Sequence, residues 1–162
     1  MSAHCDHDHA HDAPDLASIG QALSAAESRC VAEGERMTAP RRRVLELLLN
    51  AAEPVKAYDL IARFGEDGQA AKPPTVYRAL EFLERKGLAH RIASISAYVA
   101  CTATSDTPSH AAAFLICDCC GATEEVATPA SPAFAQAAEA AGYAIARTTI
   151  EGHGRCPACL VA

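Results

Sequence analysis

Residues 72–101 read KPPTVYRALEFLERKGLAHRIASISAYVAC, and this stretch decides the fold. Lys72-Pro73-Pro74-Thr75 opens a helix, because proline is favoured in the first helical turn, and Gly87 ends it. The predicted core-facing positions of this helix are Val76, Leu80 and Leu83. After Gly87 the apolar period changes, and residues 88–95 and 97–101 are predicted to form the two short strands of a hairpin.

Three further helices are predicted before this stretch, each with apolar residues three or four positions apart. The first covers 15–34 and carries Leu16, Ile19, Leu23, Ala26, Cys30 and Val31 at helical spacing. The second begins at Thr38, a favoured N-cap residue, and the third covers about 57–64. Helices followed by a β-hairpin are the order of a winged helix-turn-helix, which is therefore predicted over residues 15–101.

A polar connection at 102–111 separates this domain from the rest of the chain. The strands predicted beyond it are 112–117, 122–127 and 143–150. A helix at about 132–141 lies between the second and third of them. These elements make a small α+β domain over 112–162.

Charge is unevenly distributed along the chain. The net charge of the 162 residues is −6, yet between Arg36 and Arg91 eleven Lys and Arg stand against seven Asp and Glu, a local charge of +4. A basic block can attract DNA phosphates even when the whole molecule is acidic. The same charges also suit ordinary solvated helix faces.

Two C-x-x-C pairs lie in the second domain, Cys117-Asp118-Cys119-Cys120 and Cys156-Pro157-Ala158-Cys159. Each pair can turn two thiolates toward one point, and four thiolates suit tetrahedral Zn²⁺. A structural zinc site of Cys117, Cys120, Cys156 and Cys159 is predicted, with Gly121 permitting the tight turn behind the first pair. Cys119 could in principle replace a neighbour as ligand, although the 117–120 spacing is the usual one.

Residues 1–14 are a polar tract that holds His4, Cys5, His7, His9 and His11. We predict that it is disordered and at most weakly metal-binding. It lacks the basic region followed by an apolar region that is typical of a signal peptide. No segment of the chain is apolar over the length needed to span a bilayer. A cytoplasmic location is expected, where eight cysteines indicate metal or redox chemistry rather than disulfides.

Further residues with ligand chemistry stand around the domain boundary: His90, Cys101, His110 and the pair Glu124-Glu125. Each has an ordinary structural explanation. His90 suits the surface of the hairpin, Cys101 suits a small buried position, and His110 suits a loop. Their clustering around the boundary favours a second metal site.

Several motifs follow one another along the chain: Lys72-Pro73-Pro74-Thr75-Val76-Tyr77-Arg78-Ala79-Leu80, His90, Tyr98-Val99-Ala100-Cys101, the cysteines at 117–120 and Gly152-His153-Gly154-Arg155-Cys156. In this order they resemble the ferric uptake regulator (Fur) family, and within it the zinc uptake regulator (Zur) type. The resemblance covers nearly everything from residue 15 onward. It implies an α+β chain with an N-terminal winged helix-turn-helix domain and a small α/β dimerisation domain, acting as a homodimer.

The resemblance also implies a second, regulatory zinc held by His90, Cys101, His110 and Glu125, hence two Zn²⁺ per chain. Glu125 rather than Glu124 matches the family's ligand position when the two sequences are aligned on Cys117 and Cys120. Iron sensors of the family usually carry a glutamate where Cys101 stands, and a thiolate favours zinc over Fe²⁺. Their histidine-rich run is missing at 109–113, so a third, carboxylate-rich site is doubtful, and His153 is expected to pack rather than bind metal.

The helix that begins after Lys72 is the candidate recognition helix. Because its apolar positions face the core, Thr75, Tyr77 and Arg78 project away from it. The resemblance assigns base and backbone contacts to Tyr77 and Arg78, and arginine suits the guanine edge in the major groove. Phosphate contacts, or contacts that hold the adjacent helices against the DNA backbone, are expected from Arg41, Arg42, Arg43, Lys56, Tyr58 and Lys72.

The implied function is that of a zinc-responsive repressor, not an enzyme, which binds a palindromic double-stranded DNA operator as a zinc-loaded dimer and represses zinc uptake genes. No membrane partner and no small-molecule substrate other than zinc are expected. An iron or peroxide sensor of the same family is the first alternative, against which Cys101 argues. A zinc-dependent thiol or hydrolytic enzyme is the second, but four protein ligands would leave no open coordination position. A zinc-storage role is suggested only by the N-terminal histidines.

Overall fold

The computed structural model describes residues 15–65, 72–101, 111–128 and 131–161. These residues fall into two compact units, one within Ala10–Cys101 and one within Thr102–Ala162. We refer to them as the N-terminal unit and the C-terminal unit. The histidine-containing tract at 1–14 and residues 102–110 of the predicted connection lie outside the described residues. Within the described residues, no helix has the length and apolar character needed to cross a membrane.

Four helices make up most of the N-terminal unit, as the apolar periods predict. They are α1 (Leu16–Ala32), α2 (Ala39–Leu49), α3 (Ala57–Gly65) and α4 (Pro73–Arg85). Thr38 occupies the N-cap position of α2, with an extended backbone but no side-chain hydrogen bond to the helix. Pro73 and Pro74 begin α4, where their missing N–H groups cost nothing.

All four helices of the N-terminal unit contribute buried residues to its core. Val76, Leu80 and Leu83 of α4 are each at most 1% exposed, which confirms their predicted inward orientation. The apolar face predicted for α1 is confirmed in its middle but wrong at its ends, because Leu16 is 80% and Val31 72% exposed. Leu16 starts the helix, one turn before the first buried residue, and Val31 is rotated by about 100° from the buried line.

A small antiparallel sheet completes this unit. Its strands, in spatial order β1-β3-β2, are β1 (Val55–Lys56), β2 (Ala89–Ile92) and β3 (Ala97–Ala100). The hairpin was predicted, but its first strand is shorter than the predicted 88–95, because residues 93–96 form the turn with Ser96 at a φ of 51°. We call this hairpin of β2 and β3 the wing. The two-residue β1 was not predicted, since its pairing with β3 is non-local.

The C-terminal unit is a three-stranded sheet with two helices. Its elements are β4 (Ala111–Cys117), β5 (Thr123–Thr128), α5 (Pro132–Ala140), β6 (Thr149–Gly154) and α6 (Pro157–Leu160). The spatial order is β5-β4-β6, with β4 antiparallel to β5 and parallel to β6. The unit is therefore mixed helix and sheet, as predicted.

The strand predicted at 143–150 is wrong in position. Residues 143–148 carry no regular structure, and the strand is β6 at Thr149–Gly154. Alternating apolar residues at Tyr143 and Ile145 suggested the earlier segment, whereas two glycines weaken the strand signal of β6. Gly152 lies close to β4, because a Cβ there would be 3.3 Å from a methyl carbon of Leu115, which would have to shift slightly to admit it.

Candidate metal centre and nucleic-acid interface

The four predicted cysteines meet at one end of the β4–β6 pair. The Sγ atoms of Cys117, Cys120, Cys156 and Cys159 all lie within 4.8 Å of one another. Cys117 and Cys159 are buried, and Cys120 and Cys156 are half-buried. Cys119 is not a member of this four-sulfur cluster, so the geometry brings together the set with the usual C-x-x-C spacing.

Each cysteine pair sits on a tight turn that follows or precedes a strand. Cys117 ends β4, and Gly121 at a φ of 77° closes the turn by donating its N–H to the carbonyl oxygen of Cys117 at 2.9 Å. Cys156 is the N-cap residue of α6, and the amide of Cys159 donates to its carbonyl oxygen at 2.9 Å. The parallel register of β4 and β6 therefore delivers both turns to the same place.

The sulfur geometry fits a tetrahedral metal ion. The Sγ atoms of Cys120 and Cys156 are 3.8 Å apart. A tetrahedral ion with Zn–S bonds of about 2.3 Å requires sulfur–sulfur separations of about 3.8 Å, whereas a disulfide requires about 2.05 Å. The sulfur spacing therefore fits a tetrathiolate metal centre and is too long for a disulfide.

The local electrostatics also call for a cation. Amide hydrogen bonds from Cys120 and Cys156 lower the pKa of the Cys117 thiol to about 6 from its ordinary 9.0. Burial and the neighbouring sulfurs raise the pKa of the Cys159 thiol far above its ordinary 9.0. Four thiolates cannot coexist at this spacing without a compensating positive charge, and a dication supplies it.

His153, which was expected to pack rather than bind metal, contacts Asp118 beside this cluster. Its Nδ1 lies 3.1 Å from Oδ1 of Asp118, and the amide of Asp118 donates to the carbonyl oxygen of Gly154 at 2.8 Å. These contacts join the first cysteine turn to β6. The pairing was not predicted, because Asp118 and His153 are distant in sequence and only the β4–β6 register brings them together.

A second pair of ligand side chains lies on the wing. Cys101 extends β3 by one residue, since its amide donates to the carbonyl oxygen of Leu88 at 2.9 Å, and His90 pairs with Val99. His90 and Cys101 are thus diagonal neighbours on one face of the hairpin. A ring nitrogen of His90 and the Sγ of Cys101 lie within 4.8 Å of each other, and both residues are half-buried.

The other two predicted ligands of that site are His110 and Glu125. His110 lies outside the described residues. Glu125 is a half-buried residue of β5 paired with Phe114, whereas Glu124 is exposed and paired with Leu115. Because neighbouring strand residues point to opposite faces, Glu124 and Glu125 are not interchangeable.

The exposed face of α4 carries the predicted DNA-contacting residues. Tyr77 is 52% exposed, and Arg78 is also exposed. Thr75 is half-buried in the first turn, and Lys72 is the exposed N-cap residue. The helix therefore presents an aromatic hydroxyl and a guanidinium side by side, with a lysine at its positive N-terminal end.

The other residues predicted to contact DNA differ in whether their side chains are exposed or already paired within the chain. Tyr58 at the start of α3 is 79% exposed, and Lys56 is exposed. Arg42 pairs with Glu27 at 2.7 Å, and Arg43 pairs with Glu46 at 3.1 Å. Arg41 is half-buried, with its Cζ 3.5 Å from the centroid of the Phe82 ring.

The C-terminal unit leaves an apolar face exposed. Leu115 is 51% and Ile150 is 42% exposed, and their register places them on the same face of the sheet. In α5 no residue is buried, and its Phe134 is 52% exposed. Large apolar side chains left exposed in this way are typical of a subunit interface.

Comparison with known proteins gives a consistent set of relatives. The sequence model of the ferric uptake regulator family matches residues 32–153. The zinc uptake regulation protein of Escherichia coli (strain K12) is 40% identical over 139 residues, which are 85% of this chain and 81% of that protein. A solved zinc uptake regulator complexed with zinc and DNA superposes with a TM-score of 0.79 at 37% identity, covering 89% of this chain and 96% of that one. The holo form of the regulator XcZur gives a TM-score of 0.73 at 38% identity, covering 86% and 97%.

Proposed function

The chain belongs to the ferric uptake regulator family, and from this membership we propose that it is a zinc-responsive transcriptional repressor. It binds a palindromic operator as a zinc-loaded homodimer in the cytoplasm and represses zinc uptake genes. The observation that carries the proposal is the His90–Cys101 pair on the wing of a DNA-binding fold. An imidazole beside a thiolate favours zinc over Fe²⁺.

Two zinc ions per chain have different tasks in this proposal. Cys117, Cys120, Cys156 and Cys159 hold a permanent structural ion, because a closed tetrathiolate shell leaves no exchangeable position and stabilises the fold. His90 and Cys101 supply two ligands of a second, regulatory ion, and His110 and Glu125 complete it. The likeness to a zinc uptake regulator solved with zinc and DNA supports the choice of metal.

Repression follows from thermodynamic linkage between zinc and DNA. If the regulatory site binds zinc more tightly in the DNA-binding conformation, zinc strengthens operator binding, and the operator strengthens zinc binding by the same factor. His90 and Cys101 lie on the strands that directly follow α4, close in sequence to the reading residues. Metal occupancy at the wing is thereby coupled to the element that reads DNA.

Homodimerisation uses the apolar face of the C-terminal unit. Leu115 and Ile150 on this face are each more than 40% exposed. Phe134 of α5 is 52% exposed, and α5 buries none of its residues within the chain. A second copy placed on this face by two-fold symmetry removes that surface from water. Two-fold symmetry in the protein requires an operator with palindromic half-sites.

DNA recognition uses α4 in the major groove. Arg78 reads a base edge, and Tyr77 contacts the backbone beside it. Thr75, Lys72 and Tyr58 hold phosphates. The likeness to a regulator solved with zinc and DNA supports this orientation of the helix.

An Arg78→Ala variant is expected to lose operator affinity by roughly 5- to 150-fold, the equivalent of about 1–3 kcal/mol for a bidentate base contact. The operator is first selected from random duplexes with zinc-loaded wild-type protein, and affinity is then measured by fluorescence anisotropy. Arg147→Ala is the matched control, since it removes an exposed arginine from the C-terminal unit. Unchanged affinity and base preference in a folded Arg78→Ala protein would remove Arg78 from the interface.

A further inference from the structure

Phe82 of α4 owes its burial to arginine side chains as well as to the apolar core. It is 2% exposed. The Cζ atom of Arg41 lies 3.5 Å from the centroid of its ring, and that of Arg85 lies 5.4 Å away. A guanidinium on an aromatic face is attracted by the ring quadrupole, and its planar shape suits stacking.

Arg41 is also held at its edge. Its Nη1 donates a hydrogen bond to the carbonyl oxygen of Arg36, in the segment just before α2. The next two arginines have other partners, because Arg42 pairs with Glu27 and Arg43 with Glu46. Arg41 therefore joins three parts of the N-terminal unit: the 36–38 segment, α2 and α4.

The point of attachment on α4 lies next to the reading residues. Phe82 follows Arg78 by four positions, so the two side chains are neighbours on one side of the helix, about one turn of 5.4 Å apart. Arg78 is exposed, whereas Phe82 lies under Arg41. A stack at this place opposes rotation of α4 about its own axis, and such a rotation would redirect Tyr77 and Arg78.

We propose that Arg41 is a positioning residue, which aims Tyr77 and Arg78 at the DNA by stacking on Phe82 and does not act by contacting phosphate. This role rests on the proposed function, since it concerns how α4 reads an operator. Free protein in which α4 is held in the reading orientation binds with full affinity. Protein in which α4 is free to rotate loses affinity in proportion to the misoriented fraction.

The first part of the test needs no DNA. Urea unfolding is measured for zinc-loaded wild type, Arg41→Lys, Phe82→Leu and the double variant, in a double-mutant cycle. The inference requires coupling between the two positions. The loss in free energy of unfolding in the double variant is then smaller than the sum of the losses in the two single variants. Phe64→Leu is the matched control, because Phe64 is a buried aromatic residue of the same core on α3, and it is expected to show no coupling to Arg41→Lys.

The second part is operator binding as a function of salt, at a temperature where every variant is folded. Phe82→Leu and Arg41→Met are each expected to lose about tenfold in operator affinity. The variant that carries both of these substitutions is expected to bind the operator no more weakly than either single variant. The slope of log affinity against log salt is expected to stay at its wild-type value. A phosphate contact would instead lower the slope by about 0.9 per contact, hence about 1.8 for the two copies of a dimer.

Wild-type affinity of the Phe82→Leu variant, absence of coupling in unfolding, or a slope reduced by about 1.8 in Arg41→Met would each overturn the positioning role. Failure of the wild-type protein to bind any selected operator would overturn the proposed function itself. The two failures are distinguishable, because the unfolding cycle reports on the stack without DNA.

Discussion

A Cys156→Ser variant is expected to carry one zinc fewer per chain than wild type and to lose the cooperative folding of its C-terminal unit. Cys156 is central to the cluster, with its Sγ 3.8 Å from that of Cys120 and its amide donating to the Sγ of Cys117. Structural zinc sites contribute on the order of 10–16 kcal/mol at neutral pH, which equals or exceeds the stability of a typical domain. A hydroxyl in place of one thiolate removes much of that contribution.

Zinc per chain after dialysis and thermal unfolding followed by circular dichroism measure this outcome. Cys119→Ser is a closely matched control, because it makes the same substitution in the first cysteine turn, outside the four-sulfur cluster. It is expected to keep its zinc and its unfolding temperature. If Cys156→Ser kept both while Cys119→Ser lost them, the ligand set would be wrong.

The parts of this molecule that sequence predicts well are those determined by local chemistry. Helix α4 follows from two prolines, an apolar period and a glycine, and its inward residues Val76, Leu80 and Leu83 are buried as expected. The C-x-x-C spacing predicts the four cysteines of the cluster, because each pair turns two sulfurs toward one point, whereas the meeting of the two pairs depends on the pairing of β4 with β6.

The parts that sequence missed depend on contacts between distant residues. Strand β6 has weak strand propensity and forms because it pairs with β4, so alternation at Tyr143 and Ile145 predicted it six residues too early. The stacking of Arg41 on Phe82 joins residues of two different helices. The apolar period of a single helix cannot predict such a contact, and Arg41 was predicted to contact DNA because of its charge.

A Cys101→Ser variant is expected to lose the zinc response of operator binding while retaining one zinc per chain. Serine preserves the size of the side chain but offers a poor ligand, so the pair with His90 no longer favours zinc. At a free zinc concentration that saturates wild type, operator affinity is expected to fall by about 5- to 150-fold, the usual range of an allosteric coupling.

Operator anisotropy and metal content, measured in parallel, separate this effect from unfolding. Cys119→Ser again controls for the loss of a thiol, and it is expected to respond to zinc as wild type does. If Cys101→Ser bound the operator with the wild-type zinc dependence and kept two zinc ions, Cys101 would not be a regulatory ligand.

The most direct measurement of the zinc response is the operator affinity of the wild-type protein, titrated with buffered free Zn²⁺ and, under anaerobic conditions, with buffered free Fe²⁺. The protein starts with its four-cysteine site filled, so only the regulatory site is titrated. The account predicts that operator affinity rises with free zinc as a second ion binds per chain, and that Fe²⁺ at the same free concentration has no such effect. Equal or tighter operator binding with Fe²⁺, or full affinity before the second metal binds, would contradict it.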